Sequence, residues 1–278
     1  LAARIFLMKG LVMKITLRSL QTLYTQGEKM VMLTAYDASF AQLAATAGVE
    51  MLLVGDSLGM VIQGQGSTLP VTLDDMIYHT QAVARGAGDA LVLADLPFGA
   101  YQLSKEQAFE SAVRLIQAGA QMVKLEGGLL MAESIAFLTE RGIPVCGHIG
   151  LMPQSVNSYG GYVVQGKTQD DVERLVQEAQ ALAVAGASLI VLECVPSSTA
   201  KAVAAAVNVP IIGIGAGADV AGQVLVVYDA LGISQGRLPK FVRNFMNETG
   251  VTSLSDGVKA YVQAVKQGTF PRAEESYS

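Results

Sequence analysis

Lys124 and Glu126 stand two residues apart near the end of an apolar run, "AGAQMVKLEGG" (118–128). Burying a charge costs several kcal/mol unless it is paired or bound to metal, so two opposite charges in such a run ask for a purpose. Residues two apart on a strand share a face. An ammonium beside a carboxylate on one face could hold an anion next to a cation. Other acids close comparable runs: Asp56 after "AGVEMLLVG", Asp95 in "GDALVLAD" and Glu193 in "AGASLIVLE", while His148 ends "IPVCGH". Asp56, Asp95 and Glu126, if brought together, repel strongly unless a cation joins them. Hard oxygen donors with no thiolate and few imidazoles suit magnesium better than zinc. The plain alternative is that these acids cap helices or pair with arginines. Beside such a metal, Lys124 would meet an anionic substrate. His148 would donate to substrate or be a satisfied core histidine. Glu193 has apolar neighbours. A desolvated carboxylate has a raised pKa and serves as a base near neutrality, although a fourth ligand or a helix cap would look the same in sequence.

The elements that would position these residues repeat along the chain. Each run has a small-residue turn, an apolar stretch and then an acid, with seven steps from Gly119 to Glu126, from Gly186 to Glu193 and from Gly88 to Asp95. Between them lie helical patterns. Residues 72–86 begin with Thr72 and early acids, 104–119 begin with Ser104 and close at Gly119, and 168–186 begin with Thr168; these are the expected helix start and stop signals. Eight strands are expected at 31–35, 51–55, 91–95, 121–126, 144–148, 188–193, 210–214 and 224–228. Eight short runs alternating with helices predict an α/β fold, a closed (β/α)8 barrel, with an open doubly wound sheet as the alternative. Barrel chemistry sits at the C-terminal strand ends, where Asp56, Asp95, Glu126, His148 and Glu193 all fall.

Composition excludes several classes. The 278-residue chain has net charge -5 and no basic cluster, which argues against nucleic acid. Mean hydropathy is high, +0.40, yet the uncharged run between Lys201 and Asp219 is broken by Asn208 and Pro210 and does not read as a membrane helix. Strands buried on both faces and a large subunit interface fit that hydropathy. Cys146 and Cys194 read as small core residues in a reducing compartment, rather than a catalytic thiol. His79 reads as structural. No secretion signal is seen in the opening residues, so a cytoplasmic location is expected. Two glycine-rich segments remain. "NSYGGYVVQGK" (157–167) reads as a lid after strand five. "GIGAG" (213–217) is a phosphate loop or merely a tight turn.

The combination of "TAYDASFA" (34–41), "VGDSLGMVIQG" (54–64), "TLPVTLDDMIYHTQAV" (68–83), "ADLPFGAY" (94–101), "VKLEGG" (123–128), "VCGHIGLMPQSVNSYGGYVVQGK" (145–167), "VLECVP" (191–196) and "IGIGAG" (212–217) resembles the ketopantoate hydroxymethyltransferase family from about residue 13 to 275. Residues 1–12 fall outside it and read as a remnant or an extension, with Met8 or Met13 as candidate natural starts; a single barrel domain is expected over 13–278. The resemblance implies a barrel of the phosphoenolpyruvate/pyruvate type. It implies one magnesium per subunit on Asp56, Asp95 and Glu126, a 2-oxo acid site at Asp56, Ser57, Asp95 and Lys124 with His148 nearby, and Glu193 as catalytic base. It also implies 3-methyl-2-oxobutanoate and 5,10-methylenetetrahydrofolate as substrates, a role in pantothenate synthesis, and a homo-oligomer, in this family a decamer. A metal-dependent 2-oxo acid lyase or mutase of the same barrel type, or a non-catalytic ligand-binding barrel, are the alternatives.

Overall fold

A computed structural model describes residues 14–236 and 238–278; the expectation for residues 1–12 lies outside them. The element order is α1 (Leu17–Thr25), β1 (Met30–Thr34), α2 (Ala38–Thr46), β2 (Met51–Val54), α3 (Leu58–Val61), α4 (Leu73–Gly86), β3 (Leu91–Asp95), α5 (Lys105–Gln117), β4 (Met122–Glu126), α6 (Ala132–Thr139), β5 (Val145–Gly150), α7 (Val156–Tyr159), α8 (Gln169–Val184), β6 (Leu189–Glu193), α9 (Ser197–Ala205), β7 (Ile211–Ile214), β8 (Gly222–Leu225), α10 (Val227–Ala230) and α11 (Leu254–Lys266). The strands pair in parallel and in chain order, and β1 also pairs with β8, which closes the (β/α)8 barrel.

Side chains alternate between the two faces of each strand, and that alternation positions the site. Outward residues such as Val31, Leu52, Val92, Val123, Val145 and Ile190 pack in the large cluster beneath the helices. Inward residues fill the barrel: Met30 and Met32, Met51 and Leu53, Leu91 and Leu93, Met122, Cys146, Leu189 and Val191. Leu20 of α1 joins this inner cluster and plugs the N-terminal end. Continuing the same parity towards the C-terminal ends, the next inward positions are Asp95, Lys124 and Glu126, His148, and Glu193. The apolar filling thus stops where the polar residues begin.

The helices start where the sequence signals them. The Thr72 hydroxyl accepts from the Asp75 N–H while the Asp75 carboxylate accepts from the Thr72 N–H, and Thr168 and Asp171 repeat the arrangement. Ser104 caps α5 by accepting from the Gln107 N–H. Such caps are each worth about 1 kcal/mol. Two strands differ from expectation by two residues or more. β8 begins and ends earlier, at Gly222–Leu225, because the Val227 N–H donates to the Thr34 hydroxyl at 2.9 Å and leaves the ladder to start α10. β5 runs two residues past His148, to Gly150, because Gly150 pairs in register with Glu193. Among the described residues no helix is long and apolar enough to cross a membrane.

Candidate active site

A cavity of about 700 Å3 opens at the C-terminal strand ends, and Asp56, Ser57, Asp95, Lys124, Glu126, His148 and Glu193 all line it. Lys124 sits at its floor, 4% exposed, with Nζ 2.9 Å from Asp95 Oδ1 and 3.2 Å from His148 Nδ1. Burial alone disfavours the ammonium, but Asp95, Glu126 and Asp56 outweigh it and hold the Lys124 pKa above its usual value. A charge can be buried on this strand because the neighbouring strand, in register at Asp95, brings it a carboxylate.

The carboxylates are themselves tied to the protein. Asp95 Oδ2 accepts from the Asp56 N–H at 3.0 Å. Gln154, 5% exposed, lies just beyond β5 and serves two acids at once. Its Nε2 donates to Asp56 Oδ2 at 2.8 Å and to the Leu96 carbonyl at 2.9 Å, and its backbone N–H donates to Glu126 Oε2 at 3.0 Å. Its Oε1 accepts from the Tyr101 hydroxyl at 2.7 Å. Sequence reasoning missed this residue, because an uncharged amide in a quoted stretch carries no mark of its role. The Ser57 hydroxyl lies 2.9 Å from that of Tyr36. Burial, reinforced by Asp95, pushes the Asp56 pKa up to about 7, against Lys124 and Gln154, which lower it. Burial likewise lifts Glu126 well above the usual carboxylate range, with Lys124 opposing.

These residues suit magnesium in a particular way. Among the described residues no three His, Cys, Asp or Glu side chains form a ready-made metal cluster, so the three acids are not poised as a compact set of direct ligands; their nearest donors are Lys124, Gln154 and a backbone amide. The donor chemistry nevertheless fits. Three buried carboxylates share one ammonium, and Asp95 Oδ1 has no aligned hydrogen-bond donor, its contact with Lys124 being an ion pair only. Magnesium keeps several waters and asks for only one or two direct carboxylates, so it does not need the three acids as a compact set.

Glu193 stands on the far side of His148. Its Oε2 lies 3.2 Å from His148 Nε2, close but poorly aligned, since among the described residues Nε2 has no hydrogen-bond partner. Lys124 can only donate, so His148 Nδ1 is the acceptor and Nε2 carries the proton. Burial and then the Lys124 charge hold the His148 pKa well below its usual value, so the ring is neutral. Burial pushes Glu193 up to about 7, with Lys124 opposing. The turn holding Glu193 is tight. Gly150 has φ 89°, and a Cβ there would collide with the Glu193 carbonyl. Cys194 next to it takes φ 49°, a left-handed conformation that ordinarily costs a non-glycine residue about 1 kcal/mol or more.

In the 157–167 segment, Tyr162 and Val164 line the cavity. The segment is pinned by the Gln165 N–H donating to the Cys194 carbonyl at 2.9 Å, and the Tyr162 hydroxyl reaches Met60 Sδ at 3.6 Å. It therefore crosses the rim. The 213–217 turn contributes Ile214 to the cavity, and its Gly215 backs onto Phe241, which favours the tight-turn reading. Both cysteines are free and buried; burial raises the Cys146 thiol to about 12 and Cys194 higher, unlike a nucleophile. His79 Nδ1 donates to the Tyr36 carbonyl at 2.6 Å, a structural role.

The model of the family described as ketopantoate hydroxymethyltransferase matches residues 14–273. The chain belongs to the ketopantoate hydroxymethyltransferase family. It is an enzyme of that transferase class. Proteins named 3-methyl-2-oxobutanoate hydroxymethyltransferase from Chromobacterium violaceum and Thiobacillus denitrificans are each 58% identical over 265 residues, covering 95% of this chain and 100% of theirs. One from Neisseria gonorrhoeae is 57% identical, covering 95% and 99%. Solved structures show the same fold at low identity. Phosphonopyruvate hydrolase in complex with oxalate and Mg++ has a TM-score of 0.58 at 14% identity, covering 89% of this chain and 95% of that one. 2,3-Dimethylmalate lyase, a member of the PEP mutase/isocitrate lyase superfamily, has 0.56 at 19%, covering 78% and 82%. In this family member the ends of β2 to β6 thus carry the polar residues that line the cavity.

Proposed function

We propose that this enzyme transfers a hydroxymethyl group from 5,10-methylenetetrahydrofolate to 3-methyl-2-oxobutanoate, giving 2-dehydropantoate and tetrahydrofolate for pantothenate synthesis. The observation that carries the proposal is the placing of Glu193. It is a desolvated carboxylate raised by burial to about 7, in one cavity with a buried ammonium and with its Oε2 3.2 Å from His148 Nε2. A pKa close to the working pH is what a general base needs.

Asp56, Asp95 and Glu126 would hold magnesium, which supplies Lewis-acid polarisation of the substrate's C2 oxo group. Lys124 binds the substrate anion and, in a site drier than water, stabilises the negative charge that develops as C3 loses its proton. Glu193 takes that proton. Neutral His148 presents its Nε2–H 3.2 Å from the Glu193 carboxylate, a donor that a small turn of either side chain brings into line, and Gln154 keeps Asp56 and Glu126 aimed. C3 then forms a bond to the methylene carbon of the donor; that carbon's bonds to the folate nitrogens break, and one water supplies the hydroxyl oxygen. Tyr162 at the rim covers part of the cavity. The family's homo-oligomer and a cytoplasmic location remain part of this proposal. The deciding experiment measures 2-dehydropantoate formed from both substrates with and without magnesium, and C3 hydrogen exchange of the 2-oxo acid without folate. Exchange with no product in the complete mixture would point instead to a lyase or mutase.

A further inference from the structure

The cavity is much larger than its charged floor. At about 700 Å3 it is the size of pockets that enclose drug-sized ligands, and a small branched 2-oxo acid fills only a fraction of it. One side of the remaining wall comes from the segment after α10 and the C-terminal tail. Phe241, Leu238, Pro239 and Tyr277 make it apolar, and Lys240 gives it a charge. Among the described lining residues, Lys124 and Lys240 are the two lysines, and they serve different ends. Lys124 is buried against Asp95. Lys240 is exposed, and its Nζ donates to the Ser276 carbonyl, with no carboxylate paired to it among the described residues.

The tail is firmly built. Arg243 and Glu275, each 9% exposed, form two hydrogen bonds of 2.7 Å. The Ser197 N–H donates to the Tyr277 carbonyl at 3.0 Å, and Tyr277 bridges Pro196 in parallel, three residues beyond Glu193. Tyr277 thus lines the same cavity as Glu193, with Lys240 Nζ 5.8 Å from its ring centroid. Its phenol is raised by burial and then by the charges of Cys194 and Glu193, in keeping with that placement.

Given the proposed function, on which this inference rests, we propose that Tyr277 and Lys240 form the subsite for the one-carbon donor, with Tyr277 as the aromatic wall for a planar reduced pterin and Lys240 as the cation for its glutamate carboxylates. An aromatic wall beside the base puts the methylene carbon next to the carbon that Glu193 deprotonates. A charge at the rim suits a ligand whose anionic tail projects towards solvent. Asp229 also lines the cavity and offers an acceptor to the N–H groups of the ring.

The test uses two inhibitors, tetrahydrofolate and 6-methyltetrahydropterin, which lacks the glutamate. Lys240→Gln should weaken tetrahydrofolate about tenfold, as expected for loss of a charge-assisted contact, and 6-methyltetrahydropterin less than twofold. Tyr277→Ala should weaken both about tenfold through lost stacking, while Tyr277→Phe should restore the parent values. C3 exchange of the 2-oxo acid alone should change less than twofold in Lys240→Gln and Tyr277→Phe, and the unfolding midpoints should match the parent's. Equal inhibition of parent and Lys240→Gln by both compounds would overturn the subsite. So would a parallel fall of exchange and donor binding in Tyr277→Phe, which would make the tail a support for Glu193 only. A parent enzyme that exchanges C3 but forms no product with methylenetetrahydrofolate would overturn the donor itself, a separate failure.

Discussion

Glu193→Gln keeps the shape of the proposed base and removes its charge, and it should leave two marks of opposite sign. The first is on stability. Burial raises the Glu193 pKa from 4.5 to about 7, so between these values the folded protein binds a proton that the unfolded chain releases. Stability from this group therefore falls as pH rises through that window and is at its lowest above 7. At about 1.4 kcal/mol per pK step, the penalty at pH 8 is about 3 kcal/mol. A neutral amide at this position escapes it, so the variant should be more stable than the parent at pH 8, by up to about 3 kcal/mol, and equal to it at pH 4. The second mark is on rate. Proton removal from C3 should slow by about 10²–10⁴, the usual range for a lost general base, while substrate and magnesium still bind. In the parent, kcat/KM for exchange should rise with pH around a midpoint of about 7. Urea unfolding at the two pH values, together with proton NMR of C3 exchange on metal-saturated enzyme, checks both. Exchange at the parent rate would remove Glu193 from the mechanism. A joint loss of metal binding and rate would make it a ligand, and unchanged stability at pH 8 would refute the burial argument.

Three further outcomes follow from the same geometry. Asp56→Asn and Asp95→Asn, which keep shape but lose charge, should each weaken magnesium binding by calorimetry and abolish turnover; unchanged affinity in both would sink the ligand assignment. Lys124→Met removes the cation from between buried carboxylates, so thermal unfolding at pH 7 should show a loss of about 3–5 kcal/mol and substrate affinity should fall by tenfold or more; a variant with parental kinetics would mean that the ammonium never meets substrate. Gln154→Leu strands the Asp56 carboxylate and the Leu96 carbonyl at once, at about 1–3 kcal/mol for each group left unsatisfied, while the Tyr101 hydroxyl keeps the Glu126 backbone. Denaturant unfolding should show a loss of about 2 kcal/mol or more, and Gln154→Glu, which keeps the Oε1 acceptor and the backbone donor, should recover part of the stability but not the rate.

Much of this enzyme can be read from local chain properties. A strand's side chains alternate whatever it pairs with, so Lys124 and Glu126 had to share a face, and an acid closing an apolar run had to sit at a strand end. Thr72, Ser104 and Thr168 cap the helices they precede because a cap is made within four residues. The family resemblance rests on the same linear stretches. What the sequence could not decide is pairing across the barrel. Register alone sets Asp95 beside Lys124, Glu126 beside His148 and Gly150 against Glu193, and the last of these extends β5 beyond the expected end. Gln154 reaches Asp56 across 98 positions of chain, and Tyr277 joins the cavity through the Arg243–Glu275 pair that pins the tail and the Ser197 N–H that holds its carbonyl. The direction in which a side chain leaves the backbone is fixed by its own residue and neighbours. The donor that satisfies a buried carboxylate is whichever group the closed barrel brings within reach, and that is a property of the whole fold.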